Sequence, residues 1–227
     1  MSIKLLFVAA TEKEGQVVKN LSRKGMFQDT KLFNSEEPDL LITGMGAVAT
    51  AWALTARLRS GIRPEMIINL GLAGSYRDDI VIGEVVVPVT DFFADSGIDT
   101  PEGFLTLAEA GLHNPDQFPF TGERIEAGGD HVSAVIKKFR PVKAATVNMA
   151  TGSRERIRQI NGKFKPDIET MEGAAFFYVC SMEKIPFIAL RVISNKVEPR
   201  NKDKWNIPSA LANLEERIPE LIKLLCI

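Results

Sequence analysis

Residues 65–74 read EMIINLGLAG, and the fold turns on this stretch. From Met66 it is apolar on both faces rather than at alternate positions. Such a strand belongs inside a sheet covered by helices on each side. It runs into GLAGSY (71–76), and glycines at the carboxyl end of an α/β strand leave bare backbone at the crevice where ligands bind. Turn chemistry alone also accounts for such glycines. The same pattern recurs outward in both directions. IKLLFVAA (3–10), DLLITG (39–44), IVIGEVVVPVTDFF (80–93), AATVNMATG (144–152), DIETM (167–171) and PFIALRVIS (186–194) read as strands. GQVVKNLSR (15–23), AVATAWALTARLRSG (47–61), DHVSAVIKKF (130–139), SRERIRQIN (153–161) and GAAFFYVCSMEK (173–184) read as helices, with Ser153 as an N-cap. Leu211, Leu214, Ile218, Leu221, Ile222 and Leu225 mark the apolar face of a last helix, which Pro219 should kink or split. Gly83 and Pro88 should bend the 80–93 run. The stretch 97–128 is loop-rich and reads as a lid, an interface segment or a plain surface excursion. Strand–helix alternation without repeat or linker predicts one domain over residues 1–227. Its expected architecture is a single three-layer α/β/α domain with a central mixed, mostly parallel sheet.

The 227 residues are 45% hydrophobic and 25% charged, an ordinary globular balance. A net charge of -1 carries no footprint for nucleic acid or an anionic membrane, so neither is expected as a partner. Cys180, Cys226, His113 and His131 have no zinc-like spacing, so neither metal nor cofactor is expected. The opening MSIKLLFVAATEKEG has too short an apolar run for a signal peptide or membrane span, and a cytoplasmic location is expected.

Gly44-Met45-Gly46-Ala47-Val48-Ala49 fits the dinucleotide pattern G-x-G-x-x-A. That pattern also wants an acid about 20 residues on, at the end of the second strand. Glu65 is near that spacing but opens a strand, so nicotinamide binding is not expected. A tight turn remains, as does a loop that lets backbone approach another ligand. Glu12 and Glu14 follow the first strand, and Glu169 and Glu172 flank Thr170-Met171. Helix-dipole stabilisation, about 0.3–1 kcal/mol, accounts for any one such acid. Their common address argues for more. In a parallel sheet the ends of the first strand, DIETM and RVIS share one edge, where Glu14, Glu172 and Asn195 would converge. No G-x-S-x-G, Walker A or H-E-x-x-H motif is present.

LFVAATEKEG, LLITGMGAVATA, INLGLAGSY, GEVVVP, ETMEGAAFFYVC and RVISNKVE occur in the order of the nucleoside phosphorylase/nucleosidase superfamily, which the chain resembles over nearly its whole length. It is most similar to the branch of methylthioadenosine/S-adenosylhomocysteine nucleosidases and futalosine hydrolases, and ISNKVEPRNKDKW points to the latter. The resemblance implies hydrolysis of futalosine to hypoxanthine in menaquinone biosynthesis, with methylthioadenosine nucleosidase or purine nucleoside phosphorylase activity as alternatives. It implies that Glu14 activates water and that Met171 and Glu172 lie beneath the ribose. Met45 and Gly46 fall near the sugar, Ala73 and Gly74 on the base side, and Arg191 at the back of the base-binding strand end, all of them counted as substrate-binding residues. Asn195 stands where adenine-releasing members carry an aspartate that protonates N7 of the base. An amide has no acidic proton, but it pairs with a 6-oxopurine: its carbonyl accepts N7–H and its NH₂ donates to O6. Adenine would leave such groups unpaired at about 1–3 kcal/mol each, roughly ten- to hundredfold in preference. A carboxylate in TEKEG suits water and repels phosphate, and Asn69 stands where phosphorylases tend to place arginine. Trp205 offers an aromatic wall for the non-purine end, with Arg200, Lys202 or Lys204 for its carboxylate. Members generally associate, so a homo-oligomer (dimer or higher) is expected, with Phe118 and Phe120 placed to complete a neighbour's pocket.

Overall fold

The computed structural model describes residues 5–27, 38–61, 63–199, 201 and 205–225. Strand β3 (Met66–Ser75) is the spine. On one edge it pairs along its length with parallel β10 (Phe187–Lys196). On the other edge it changes partner. Met66–Leu70 pair with parallel β1 (Leu5–Ala9), whose far side carries β2 (Asp39–Ile42). Gly74 and Ser75 pair instead with antiparallel β9 (Ile168–Thr170). β4 (Val85–Asp91) pairs antiparallel to β10 and parallel to β8 (Arg140–Thr146), and β8 pairs with β9.

The α/β architecture is as expected, but the sheet is not simply the flat middle layer of a sandwich. β3, β10, β4, β8 and β9 close into a five-strand ring, with β1 and β2 as a wing on β3. β4, β8 and β9 run against β1, β2, β3 and β10. The cause is the length of β3 and β10, which outrun the wing. Twist accumulates along them, and bulges at Ile193/Asn195 and Pro88/Thr90 add curvature. Ala73, Val86, Val142, Ala144, Ile168 and Ile193, from all five ring strands, pack together with Ile80.

Around the wing, helices cover both faces. α1 (Glu12–Arg23), α3 (Asp130–Val135) and α6 (Ile207–Leu225) pack on Phe7, Ile68, Leu70, Ile188 and Leu190. α2 (Ala47–Arg59) and α5 (Gly173–Met182) pack on Leu6, Val8, Ile67 and Ala189 through Leu54, Phe176 and Phe177. α4 (Arg154–Phe164) seats Ile160 against Phe92 and Val147. Pro219 does not split α6: Leu214, Ile218, Leu221 and Ile222 are all buried around it and hold the helix continuous. The 80–93 run becomes strand only from Val85, because Gly83 turns the chain at φ 87°. The excursion beyond it holds a hairpin, β5 (Gly97–Thr100) with β6 (Gly103–Thr106), and a short β7 (Ile125–Glu126) on β4. Among the described residues no helix is long and apolar enough to cross a membrane.

Candidate active site

Between the two partners on its edge, β3 leaves a gap, and Glu14 fills it. Thr11 caps α1, and Glu14 closes a capping box. Glu14 Oε2 accepts from Thr11 N at 3.0 Å and Thr11 Oγ1 at 2.7 Å. Its other oxygen, Oε1, accepts from Leu72 N at 3.0 Å, a strand amide with neither β1 nor β9 beside it. A Cβ on Gly71 would sit 3.0 Å from that oxygen, so the bare residue allows the approach. Glu14 is 7% exposed.

Glu172 arrives from β9. Because β9 is antiparallel to β3, the shared-edge argument for its carboxylate does not hold as an open parallel sheet would have it. The convergence survives because β9 meets β3 only at Gly74 and Ser75 and then runs back toward Leu72. Glu172 Oε1 accepts from Gly46 N at 2.8 Å. Gly46 begins α2 at φ 92°, so the G-x-G turn lets backbone approach a carboxylate of this chain rather than a dinucleotide. Burial pushes the Glu172 carboxyl above its usual range; the Gly46 N–H and Arg191 oppose this, while Glu14 adds to it.

Arg191 lies behind the wall rather than on it. It is 2% exposed and donates to Asn69 O at 3.2 Å, Leu190 O at 3.0 Å and Asn69 Oδ1. Its charge faces Glu172, Glu14 and Asp91, while burial lowers its pKa. It therefore serves as counter-charge beneath the two carboxylates, and the direct substrate contact expected of it is not what the geometry gives. Asn69, in turn, is buried and donates to Val8 O at 3.0 Å.

Asp91 was not singled out from the sequence; its signal is a lone acid inside VVVPVTDFF. It is fully buried at the start of α5. Oδ1 accepts from Thr146 Oγ1 at 2.9 Å and Phe92 N at 2.8 Å, and Thr146 Oγ1 accepts from Ala174 N at 2.7 Å. Only glycine fits at 173, where a Cβ would lie 2.0 Å from Asp91 Oδ2. Burial pushes Asp91 up to about 7, against Thr146, Arg191 and the Phe92 N–H and with Glu172. A folded acid with a raised pKa keeps its full stability contribution below the unfolded pKa, about 3.9, and loses it as pH rises to about 7. Asp91→Asn stays neutral, so between those limits it should gain stability on the parent, by about 1.4 kcal/mol for each step of one in pH. Melting curves of both proteins from pH 5 to 8 measure this; parallel curves would refute it.

Asn195 follows a bulge in which Ser194 is the extra residue, a device that re-aims the next side chain. Its Oδ1 accepts from Ser194 Oγ at 2.8 Å, and its Nδ2 donates to Lys196 O at 2.9 Å. Each end keeps one further bonding site.

These side chains border one cavity of about 330 Å³, lined by Glu14, Glu172 and Asn195 together with Met45, Ala73, Gly74, Met171 and Trp205. Of the residues expected at the site, Gly46 does not line the cavity but gives its N–H to Glu172, Arg191 sits behind the wall, and Arg200, with Lys202 and Lys204, lies outside the described residues. Sequence reasoning left Glu169 and Thr151 unassigned, yet both line the cavity.

Fold and site together are those of an α/β enzyme whose cavity sets two carboxylates, Glu14 and Glu172, beside an amide. The chain belongs to the phosphorylase superfamily, whose family pattern matches residues 5–226. It is similar to a futalosine hydrolase of Streptomyces coelicolor, 29% identical over 192 residues, covering 82% of this chain and 79% of the relative. It is also similar to a 5'-methylthioadenosine/S-adenosylhomocysteine nucleosidase of Actinobacillus succinogenes, 27% identical over 169 residues, covering 71% and 69%. Among solved structures, the fold matches a nucleosidase of that second kind from Colwellia psychrerythraea in complex with adenine (TM-score 0.77, 20% identity, 99% and 96% covered). It also matches futalosine hydrolase of Helicobacter pylori (TM-score 0.72, 19% identity, 99% and 96% covered).

Proposed function

We propose that this chain is a nucleosidase that hydrolyses the N-glycosidic bond of a 6-oxopurine nucleoside. The foremost candidate is futalosine, cleaved in the cytoplasm to hypoxanthine and dehypoxanthine futalosine for menaquinone biosynthesis. The observation that carries this reading is one cavity lined by Glu14, Glu172 and the amide of Asn195; on this reading the carboxylates serve the sugar and the amide serves the base.

Glu14 Oε1 holds one strand amide and keeps a lone pair for water. As the C1′–N9 bond breaks, positive charge grows on the ribosyl ring, and the two carboxylates stabilise it. Glu14 takes a proton from water, whose hydroxyl adds to C1′; the leaving base takes up a proton at N7 from solvent, and the proton held by Glu14 returns to solvent, so the sum is water across the C1′–N9 bond. Asn195 accepts N7–H and donates to O6 with its remaining sites. Water is favoured over phosphate. The cations lining the described cavity are Lys13 and Lys196, and Lys196 is tied to the carbonyls of Arg77, Asp78 and Ile80. Trp205 walls the end away from the base. Val48 and Trp52 on α2, and Tyr178 and Met182 on α5, are exposed apolar side chains on two packed helices, which supports a homo-oligomer.

Methylthioadenosine/S-adenosylhomocysteine nucleosidase activity is the second reading, supported by relatives of that name. One assay divides the two. Incubation with futalosine, inosine and methylthioadenosine, with and without phosphate, should release hypoxanthine and free sugar from the 6-oxopurine substrates, independently of phosphate. Sugar phosphate as product, or release of adenine alone, would overturn the proposal.

A further inference from the structure

Gly74 is the one position of β3 flanked on both sides by polar side chains of the cavity. Its partner in β10 is Asn195, and its partner in β9 is Glu169. Neighbouring strands lie about 4.8 Å apart, so the two side chains rise from backbones roughly 10 Å apart with bare glycine between them. A Cβ on Gly74 would meet Asn195 Nδ2 at 3.1 Å and Val197 Cγ2 at 2.9 Å, so only glycine keeps this floor open. The result is a slot with an amide on one bank and a carboxylate on the other.

Glu169 is 8% exposed, and what it shows faces the cavity. Its carboxylate is fixed from behind. Oε2 accepts from Tyr76 Oη at 2.6 Å, and Oε1 accepts from Thr151 N at 2.8 Å. Both partners are donors. Burial, together with the charge and hydrogen bond of Glu169, drives the Tyr76 pKa far upward, so the phenol keeps the proton that it gives to the carboxylate. Two donors use two of about four lone-pair sites. The others can accept one more N–H but can offer none.

Leu72, which holds Glu14, lies two residues back along the same strand, about 7 Å away. Glu169 is therefore at the base end, one pleat repeat from the site of water attack. We infer that Glu169 is a specificity-determining residue that accepts N1–H of a 6-oxopurine while Asn195 reads the adjoining O6 and N7. A 6-aminopurine presents a lone pair at N1, which would face the lone pairs of a carboxylate with no proton between them. This inference rests on the nucleosidase reading above and adds a second reader to it.

The test compares inosine with adenosine, which share a sugar and differ at N1 and position 6. The parent should prefer inosine. Glu169→Gln places an NH₂ where N1 of adenine can accept from it, and the inosine/adenosine ratio of kcat/KM should shift toward adenosine by roughly ten- to hundredfold. Tyr76→Phe, which frees the carboxylate to turn, should move the ratio the same way by a smaller factor. It decides the matter if Glu169→Gln fails to fold. Calorimetric titration with hypoxanthine and with adenine gives the same comparison without turnover. If the parent cleaves no purine nucleoside, the proposed function fails while the titration still judges Glu169. A parent that prefers adenosine, or ratios unmoved in both variants, would overturn the inference.

Discussion

Glu14→Gln is expected to lower kcat by roughly 10²–10⁴-fold, the usual contribution of a positioned general base. KM should change far less, because the Met171, Ala73 and Gly74 walls remain. The reason is chemical rather than steric. Glutamine has the same shape but cannot take the proton of water. It also has one oxygen where three donors now converge: Thr11 N, Thr11 Oγ1 and Leu72 N. The Thr11 hydroxyl can rotate to accept, but one end of the new amide must face a main-chain N–H. An unpaired buried donor costs about 1–3 kcal/mol, so a lower Tm should accompany the lost turnover. Steady-state kinetics and a thermal melt on one preparation check both. Turnover within a few fold of the parent would remove Glu14 from the water-activating role.

Asn195→Asp is expected to shift the preference between hypoxanthine-releasing and adenine-releasing substrates by roughly ten- to hundredfold toward adenine. The present amide donates to Lys196 O at 2.9 Å, which a carboxylate cannot do. In the variant an ionised carboxylate would set oxygen against that carbonyl, so the side chain must turn, take up a proton, or both. A protonated acid can pass its proton to N7 of a departing adenine; a 6-oxopurine loses the donor at O6. The measurement is the kcat/KM ratio for futalosine and methylthioadenosine in parent and variant, and an unchanged ratio would end the base-reading role of Asn195.

Much of the site was legible because it lies at strand ends, and strand ends are marked by where apolar runs stop. EMIINLGLAG and PFIALRVIS show theirs through consecutive buried residues, and Glu14, Glu172 and Asn195 each stand just past such a stop. Strand direction was not legible. The three short residues of β9 carry no sign that they run against β3, and the predicted convergence came from a flat parallel sheet that the ring replaces. Partners brought from far along the chain were also hidden. The Gly46 amide meets Glu172 across 126 positions, and only closure of the ring brings them together. Arg191 looked like a ligand-binding cation because sequence shows charge and not depth. Asp91 escaped notice because an acid after Thr90 resembles an ordinary strand terminus; its burial comes from α5 packing down on it through Gly173.

The change of partner along β3 has a consequence for how such an enzyme can diversify. The carboxylate proposed to activate water is registered on one main-chain amide of that strand, and the proposed base readers are registered two residues further on, on different strands. The interval between bond breaking and base choice is therefore fixed by the backbone repeat, not by any side chain at either end. On that proposal, substitutions at 169 and 195 exchange the departing base while the distance to the reacting carbon stays constant. Conversely, one residue inserted between Leu72 and Gly74 would delete no functional group and yet put the two halves of the site out of step.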